Sequence, residues 1–277
     1  LVVKQGVVEQ RDEGRGMELV RLIAIFARVG ILNEMQYRVN FFFQMLESAI
    51  SLATGLIGLG LVFQHTTVLA GWQPAELLVV MGIYVLMSGI VQAVIQPNML
   101  RLAQDVLEGK LDYALTKPVD SQLLVSIREW QAWRFTNVVL GLLVVGWALV
   151  SLQASVSLGQ IVLFVLMLGC GVVALYAFWL ILATTSFWVI QIESLINLFE
   201  GIFAAGRWPT SIYPGWLRAI LTFLVPVAFA VTVPAEALTA RLNSSTLALA
   251  VGVSFTLFWL ARLLWRWGVR RYSGASA

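Results

Sequence analysis

Charge, cysteine and histidine are all scarce in this chain. Of its 277 residues only 12% are Asp, Glu, Lys or Arg, where a soluble domain carries about 25%. A soluble fold must clothe its surface in polar groups, and so few charges leave most of that surface bare. One Cys and one His exclude a disulfide scaffold and leave no cluster of metal ligands. A net charge of +3 gives no basic footprint, so nucleic acid is not expected as a partner. No Gly-x-x-x-x-Gly-Lys-Ser/Thr phosphate loop occurs, so the chain has no such cradle for a nucleotide. Nothing pairs a nucleophile with a base, and an enzyme is not expected. What is abundant is apolar: 60% of the residues are hydrophobic and the mean hydropathy is +0.86. Disorder is excluded with the soluble classes. The expected fold is all-α, a polytopic membrane protein with room for about six spans of ~20 residues.

Residues 1–16 are polar and mixed in charge, and Met17 stands where the hydrophobic pattern begins. Two readings stand open: a poorly ordered leader, or a true start at Met17. No signal-peptide pattern follows. Residues 17–277 read as one transmembrane domain. Its first segment, 17–40, carries Glu18, Arg21 and Arg28 on one face and Val20, Ile23, Ala24, Ala27 and Ile31 on the other. Such a helix suits the headgroup layer rather than the bilayer core. Six spans are predicted near 41–63, 77–96, 136–153, 158–183, 187–206 and 245–265. The fifth holds Gln191, Glu193, Asn197 and Glu200, and a rival stretch at 217–233 is broken by Pro226. Only one of the two is expected to cross fully, the other lying re-entrant or at the surface.

Orientation follows from the basic residues at the span ends. With both termini cytoplasmic, the inside segments hold fifteen of the eighteen Lys and Arg, while the outside ones hold only Arg207, Arg218 and Arg241. Trp72, Trp130, Trp133, Trp208, Trp216, Trp265 and Trp267 stand at predicted span ends, as interfacial anchors do.

The one long inside connection is 97–135. After Pro97, Met99, Leu102, Ala103, Val106 and Leu107 repeat at helical spacing, with Arg101, Gln104, Asp105 and Glu108 facing away and Gly109 as the stop. Two readings apply: a helix packed flat on the membrane, or a handle for a cytoplasmic partner. Gly109, Leu111-Asp112, Leu115 and Lys117-Pro118 follow it. Further on come Phe187-Trp188, Pro209, Ile212-Tyr213-Pro214, Trp216-Leu217-Arg218, Pro226 and Pro234. Over roughly 18–270 this pattern resembles the permease subunits of type-2 ATP-binding-cassette (ABC) exporters, more narrowly a bacterial subfamily of uncharacterised permeases. The resemblance implies an N-terminal interfacial helix, six spans, a coupling helix near Pro97–Glu108 and a re-entrant hairpin near Pro209–Leu238, within an outer segment 207–244. It also implies a second permease, identical or homologous, and separate nucleotide-binding ATPase subunits that hold ATP and Mg, with no cofactor on this chain. The membrane would be the bacterial inner membrane. Docking on the ATPase would fall to Met99, Arg101, Leu102, Asp105, Glu108 and Asp112.

Acids inside spans are expensive and should face protein, water or an interface. Gln44, Glu47, Ser48, Ser51, Gly55 and Gly58 share a face of the first span, and Ser186, Glu193, Asn197 and Glu200 a face of the fifth. Gln44, Glu47, Ser51, Glu193, Asn197 and Glu200 are thus candidates for a translocation path or a subunit seam. Hydrogen bonding within one subunit is the plainer alternative. Gly55, Gly58 and Gly60 suit close packing inside the subunit. Three functions are open: the permease half of an ATP-driven exporter of a lipid, glycan-linked, hydrophobic or peptide substrate; a proton-coupled secondary transporter using Glu47, Glu193 or Glu200; and a membrane scaffold.

Overall fold

A computed structural model describes residues 21–32, 38–153, 156–188 and 192–272, and the segment 1–16 lies outside them. Among the described residues ten helices carry the fold: α1 (21–32), α2 (Arg38–Phe63), α3 (Pro74–Leu107), α4 (Ser121–Ile127), α5 (Ala132–Ser151) and α6 (Leu158–Phe187), α7 (Ile192–Phe203), α8 (Gly215–Leu224) and α9 (Ala228–Leu238), and α10 (Ser244–Arg271). No strand occurs among the described residues. Five helices, α2, α3, α5, α6 and α10, are long and apolar enough to cross a membrane, and α8 with α9 forms a bent pair that makes a sixth candidate. The chain is an all-α polytopic membrane protein.

Local chemistry sets the starts. Pro74 opens α3, where its missing N–H costs nothing, and Gln73 and Glu76 close a capping box around it. Ser157 and Gln160 do the same for α6, and Asn243 caps α10, whose last turn carries Arg270 and Arg271.

The central helix corrects the sequence expectation. The amphipathic stretch after Pro97 is no separate loop helix; it continues the second span as the last third of α3, 34 residues long. At 1.5 Å per residue α3 runs about 51 Å, well past a ~30 Å hydrocarbon core. Proline in a helix crowds the carbonyl four residues back. Here the helix widens into a π segment, Val91–Ile95, just before Pro97. The Ala93 carbonyl accepts instead from the Gln131 backbone N–H at 2.9 Å. Asn98, fully buried, clasps the next corner: its amide donates to the carbonyls of Val94 and Glu129, and its Oδ1 accepts from the Glu129 N–H. The proline that was expected to start a helix therefore anchors the entry to α5.

Small residues bring α3 and α5 together. A Cβ added at Gly141 would lie 2.5 Å from the Leu86 nitrogen, and one at Gly82 2.9 Å from the Val145 nitrogen. Gly171 does the same for α6, where an added Cβ would lie 2.7 Å from Ala230 Cα on α9. By contrast nothing lies within 4 Å of a Cβ built at Gly58 or Gly60, so the close approach expected inside the subunit is absent there. α2 stands at the rim: 6% of its most apolar window is buried, against 67% for α3.

Among the described residues neither 187–206 nor 217–233 forms one long helix. α7 is 12 residues, about 18 Å, half a bilayer core. The segment between α6 and α10 is assembled from short pieces. Glu200 meets Gln96 near the end of the bundle that gathers the arginines. Arg207 reaches Ser51, halfway along α2, at 3.2 Å, and Ser211 accepts from the Trp72 indole at the opposite end at 3.0 Å. α8 and α9 then turn by 79° about Val225–Val227. The turn lies against mid-depth residues, Val227 beside Gly206 and Phe229 beside Gly171. From it the chain climbs to Arg241, which forks onto Glu76 with bonds of 2.9 and 2.7 Å. The bent pair falls where the sequence placed a re-entrant hairpin, near Pro209–Leu238.

Candidate functional site

Two places on the bundle concentrate polar chemistry. The first is a cavity of about 170 Å³ between α2, α3 and α5, lined from Ser51 and Tyr84 in the middle of their helices to Arg134 at the basic end. α2 contributes Glu47, Ser48 and Ser51, α3 contributes Tyr84, Ser88 and Gln92, α5 contributes Arg134 and Asn137, and the stretch after α7 contributes Arg207. Helical spacing produces each group: Ser88 and Gln92 are i, i+4, and Arg134 and Asn137 are i, i+3. Arg134 lies 3.7 Å from the Glu47 carboxylate. The Arg207 guanidinium donates to Ser51 Oγ and sits 5.6 Å over the Tyr84 ring. Ser88 and Asn137 are each 8% exposed. Ser88 Oγ, Asn137 Oδ1, Gln92 Oε1 and Arg134 Nε are buried without a hydrogen-bond partner among the described residues.

The α2 stripe was legible: Glu47 and Ser51 line this cavity. Gln44 stands one turn away, its Oε1 buried and unpartnered among the described residues. Glu200 bonds Gln96 outside the cavity, and the side chains of Glu193 and Asn197 lie outside the described residues. Arg207, expected in an outside segment, is instead inside the bundle. It falls seven residues after Glu200, on the continuation of the polar stripe, which is the signal that would have found it. Ser88 and Gln92 were missed because they are isolated polar residues in an apolar span, and Arg134 and Asn137 because they read as the polar entry to the third span.

The second place is the basic end. Met99, Leu102 and Asp105, expected to dock a partner, are buried at 0%, 0% and 3% exposure. Asp105 holds Arg101 Nε at 3.1 Å and an Arg128 nitrogen at 2.9 Å. It is a clamp between α3 and the end of α4. The face left exposed carries Arg101, Gln104, Leu107, Glu108 and Tyr113. Glu108 pairs with Lys110 at 2.5 Å, and that hydrogen bond holds its carboxyl below the ordinary range. Asp112 opens a one-turn helix, Asp112–Leu115, and is half-buried. Asp120 caps α4 through the Leu123 N–H and takes a two-pronged bond from Arg262 of α10. The Arg262 bond pulls the Asp120 carboxyl down from its usual range. Gln122 and Ser126 of α4 bond the Tyr176 hydroxyl of α6 at 3.1 and 2.8 Å. The loop between the second and third spans is therefore fastened to α6 and α10. Of the tryptophans expected as anchors, Trp72 and Trp265 are buried packing residues, whereas Trp216 and Trp267 are exposed.

A bundle of apolar helices with a polar cavity and a basic end fastened to the spans defines a multi-pass membrane protein. Residues 49–276 match the family model of the ABC-2 family transporter proteins, and the chain belongs to that family. It is thus a membrane permease subunit of an ABC transporter, and membership implies association with an ATP-binding subunit. No curated protein and no solved structure matches the chain. Membership selects the ABC-transporter reading over the proton-coupled one.

Proposed function

We propose that this chain is the membrane half of an ATP-driven exporter in the bacterial inner membrane, with both termini cytoplasmic. It pairs with a second permease, the same or homologous, and works with separate subunits that bind ATP and Mg. The two permeases form the path for a lipid-like, glycan-linked or hydrophobic substrate. One observation carries the reading: α3 is a single helix whose tip is exposed at the basic end and whose middle supplies Tyr84, Ser88 and Gln92 to the cavity. A push on Leu107 from an ATPase is transmitted along α3 to the cavity wall. The π segment between the two is where such a helix can rewind. The net bias of Lys and Arg to that end supports a cytoplasmic placement.

The docking residues are those of the exposed face, Arg101, Gln104, Leu107, Glu108 and Tyr113, with the half-buried Asp112 beside them. The test is co-purification of the ATPase with the full chain, followed by ATPase and transport assays on Glu108→Lys and Tyr113→Glu. We expect the ATPase to co-purify with the wild type and its stimulation to be lost in the variants, with membrane insertion unchanged. Full stimulation in both variants would remove this face from the assignment, and absence of any ATPase partner would overturn the exporter reading.

A further inference from the structure

The cavity between α2, α3 and α5 carries more positive charge than it neutralises. Two guanidiniums, Arg134 and Arg207, converge on it, and among the described residues Glu47 is the one carboxylate in its lining. Glu47 stands 3.7 Å from Arg134. Arg207 has Ser51 and the Tyr84 ring, both uncharged. A guanidinium at mid-depth in an apolar bundle is costly without a counter-charge. Its planar fork is matched to the oxygens of a phosphate or carboxylate.

The remaining lining asks for a second kind of contact. Ser88 and Asn137 are more than nine-tenths buried, and Ser88 Oγ, Asn137 Oδ1 and Gln92 Oε1 lack partners among the described residues. Buried polar atoms of this sort are almost always satisfied in a working protein. Amide oxygens accept, so what they lack is a donor such as a hydroxyl. On α2, Leu46 and Ile50 next to the lining residues Glu47 and Ser51 are exposed and apolar, and Leu52 lines the cavity itself.

We infer that this cavity binds the head group of an amphiphile, an acidic phosphate or carboxylate that also bears hydroxyls, with its apolar tail along α2. Arg207 and Arg134 take the acid oxygens, Ser88, Gln92 and Asn137 take the hydroxyls, and Glu47 tethers Arg134. The inference rests on the permease reading and names its substrate class.

The test uses the purified full chain in detergent, without any ATPase. Binding is measured by native mass spectrometry and by thermal shift with short-chain phosphatidylglycerol, short-chain phosphatidylcholine and glycerol phosphate. We expect saturable binding of phosphatidylglycerol, weakened about tenfold or more by Arg207→Gln, as loss of a charged hydrogen bond requires. Arg207→Lys should recover part of it, which separates charge from folding. Phosphatidylcholine should bind at least about tenfold more weakly, on the same argument. Equal affinity for the two lipids, or an unchanged Arg207→Gln, overturns the proposal. Glycerol phosphate binding as tightly as the lipid overturns the apolar-tail half and points to a soluble acid. A change of oligomeric state in Arg207→Gln with lipid binding intact makes Arg207 a subunit contact and also overturns it. Because no ATPase is present, a failure here leaves the ATPase co-purification result standing, and the reverse holds equally.

Discussion

Asp105 shows what a single residue can conceal in a sequence. Periodicity sorted Met99, Leu102 and Val106 correctly onto one stripe of a helix, and it placed Asp105 on the opposing, solvated side. In the folded chain Asp105 is 3% exposed, because Arg128 reaches it from 23 positions further on. Only the fold brings that arginine near, so no local pattern could announce a buried acid. The two arginines on this carboxylate differ in setting: Arg101 has a side chain 49% exposed and Arg128 one 21% exposed. Removing one partner of a buried pair costs about 3–5 kcal/mol, because the other is left uncompensated. Asp105→Asn should therefore cost several kcal/mol, on the order of that range, and lower the melting temperature of the detergent-solubilised chain markedly. Arg101→Gln, an exposed pair, should change stability by about 0–1 kcal/mol. Equal shifts for the two substitutions would show that Asp105 is not the clamp described. Reversing the charge at Asp105, named above for docking, should therefore cost structure before it costs docking.

At the scale of elements, length and apolar content made the five long helices legible, since each needs only a continuous run of about 20 apolar residues. What was not legible was continuity. Pro97 looked like a helix start because proline is tolerated in a first turn. It is equally tolerated inside a helix that widens into a π turn and hands its stranded carbonyl to a neighbour, here Gln131. The distinction depends on Gln131, which arrives from another segment. The segment between α6 and α10 escaped for a related reason: α7, an extended turn and a bent helix pair have no single periodic run to detect. Packing within the long helices rests on glycines, and they are not equivalent. A Cβ added at Gly141 would stand 2.5–2.7 Å from backbone atoms of Leu86 and Gly82, whereas one at Gly146, five residues along α5, would meet nothing within 4 Å. Gly141→Ala must push two backbones apart and should cost about 1–3 kcal/mol as overpacking. Gly146→Ala should be neutral or stabilise by about 0.5–1 kcal/mol through helix propensity. Unfolding of the two variants in a graded denaturing detergent separates the cases. Similar behaviour would mean that the α3–α5 seam has room to relax.

For the whole molecule, the scarcity of charge becomes informative once its placement is known. Arg101, Arg128, Arg262 and Lys110 meet around the α3 tip and α4, joined by Asp105, Asp120 and Glu108. At the far end, Arg241 is forked to Glu76 and Arg218 donates to the carbonyls of Thr210 and Ser211. The asymmetry therefore survives folding, and pairing does not erase it: Lys117, Arg266, Arg270 and Arg271 add to the basic end with no salt bridge to an acid among the described residues. Unpaired Lys and Arg beside span ends are what retain a segment in the cytoplasm, so the α3 tip should face inward and the α2–α3 turn outward. Cys170 is the sole cysteine, and Cys170→Ser gives a clean background. His65 and Thr116 are exposed at opposite ends of the bundle. In intact cells a membrane-impermeant maleimide should label His65→Cys, and it should label Thr116→Cys only after the membrane is opened. The reverse pattern would invert the molecule and place the exposed α3 tip beyond the reach of any cytoplasmic ATPase. One labelling experiment thus tests the orientation and, through it, whether the rod from α3 tip to cavity stands on the side where ATP is hydrolysed.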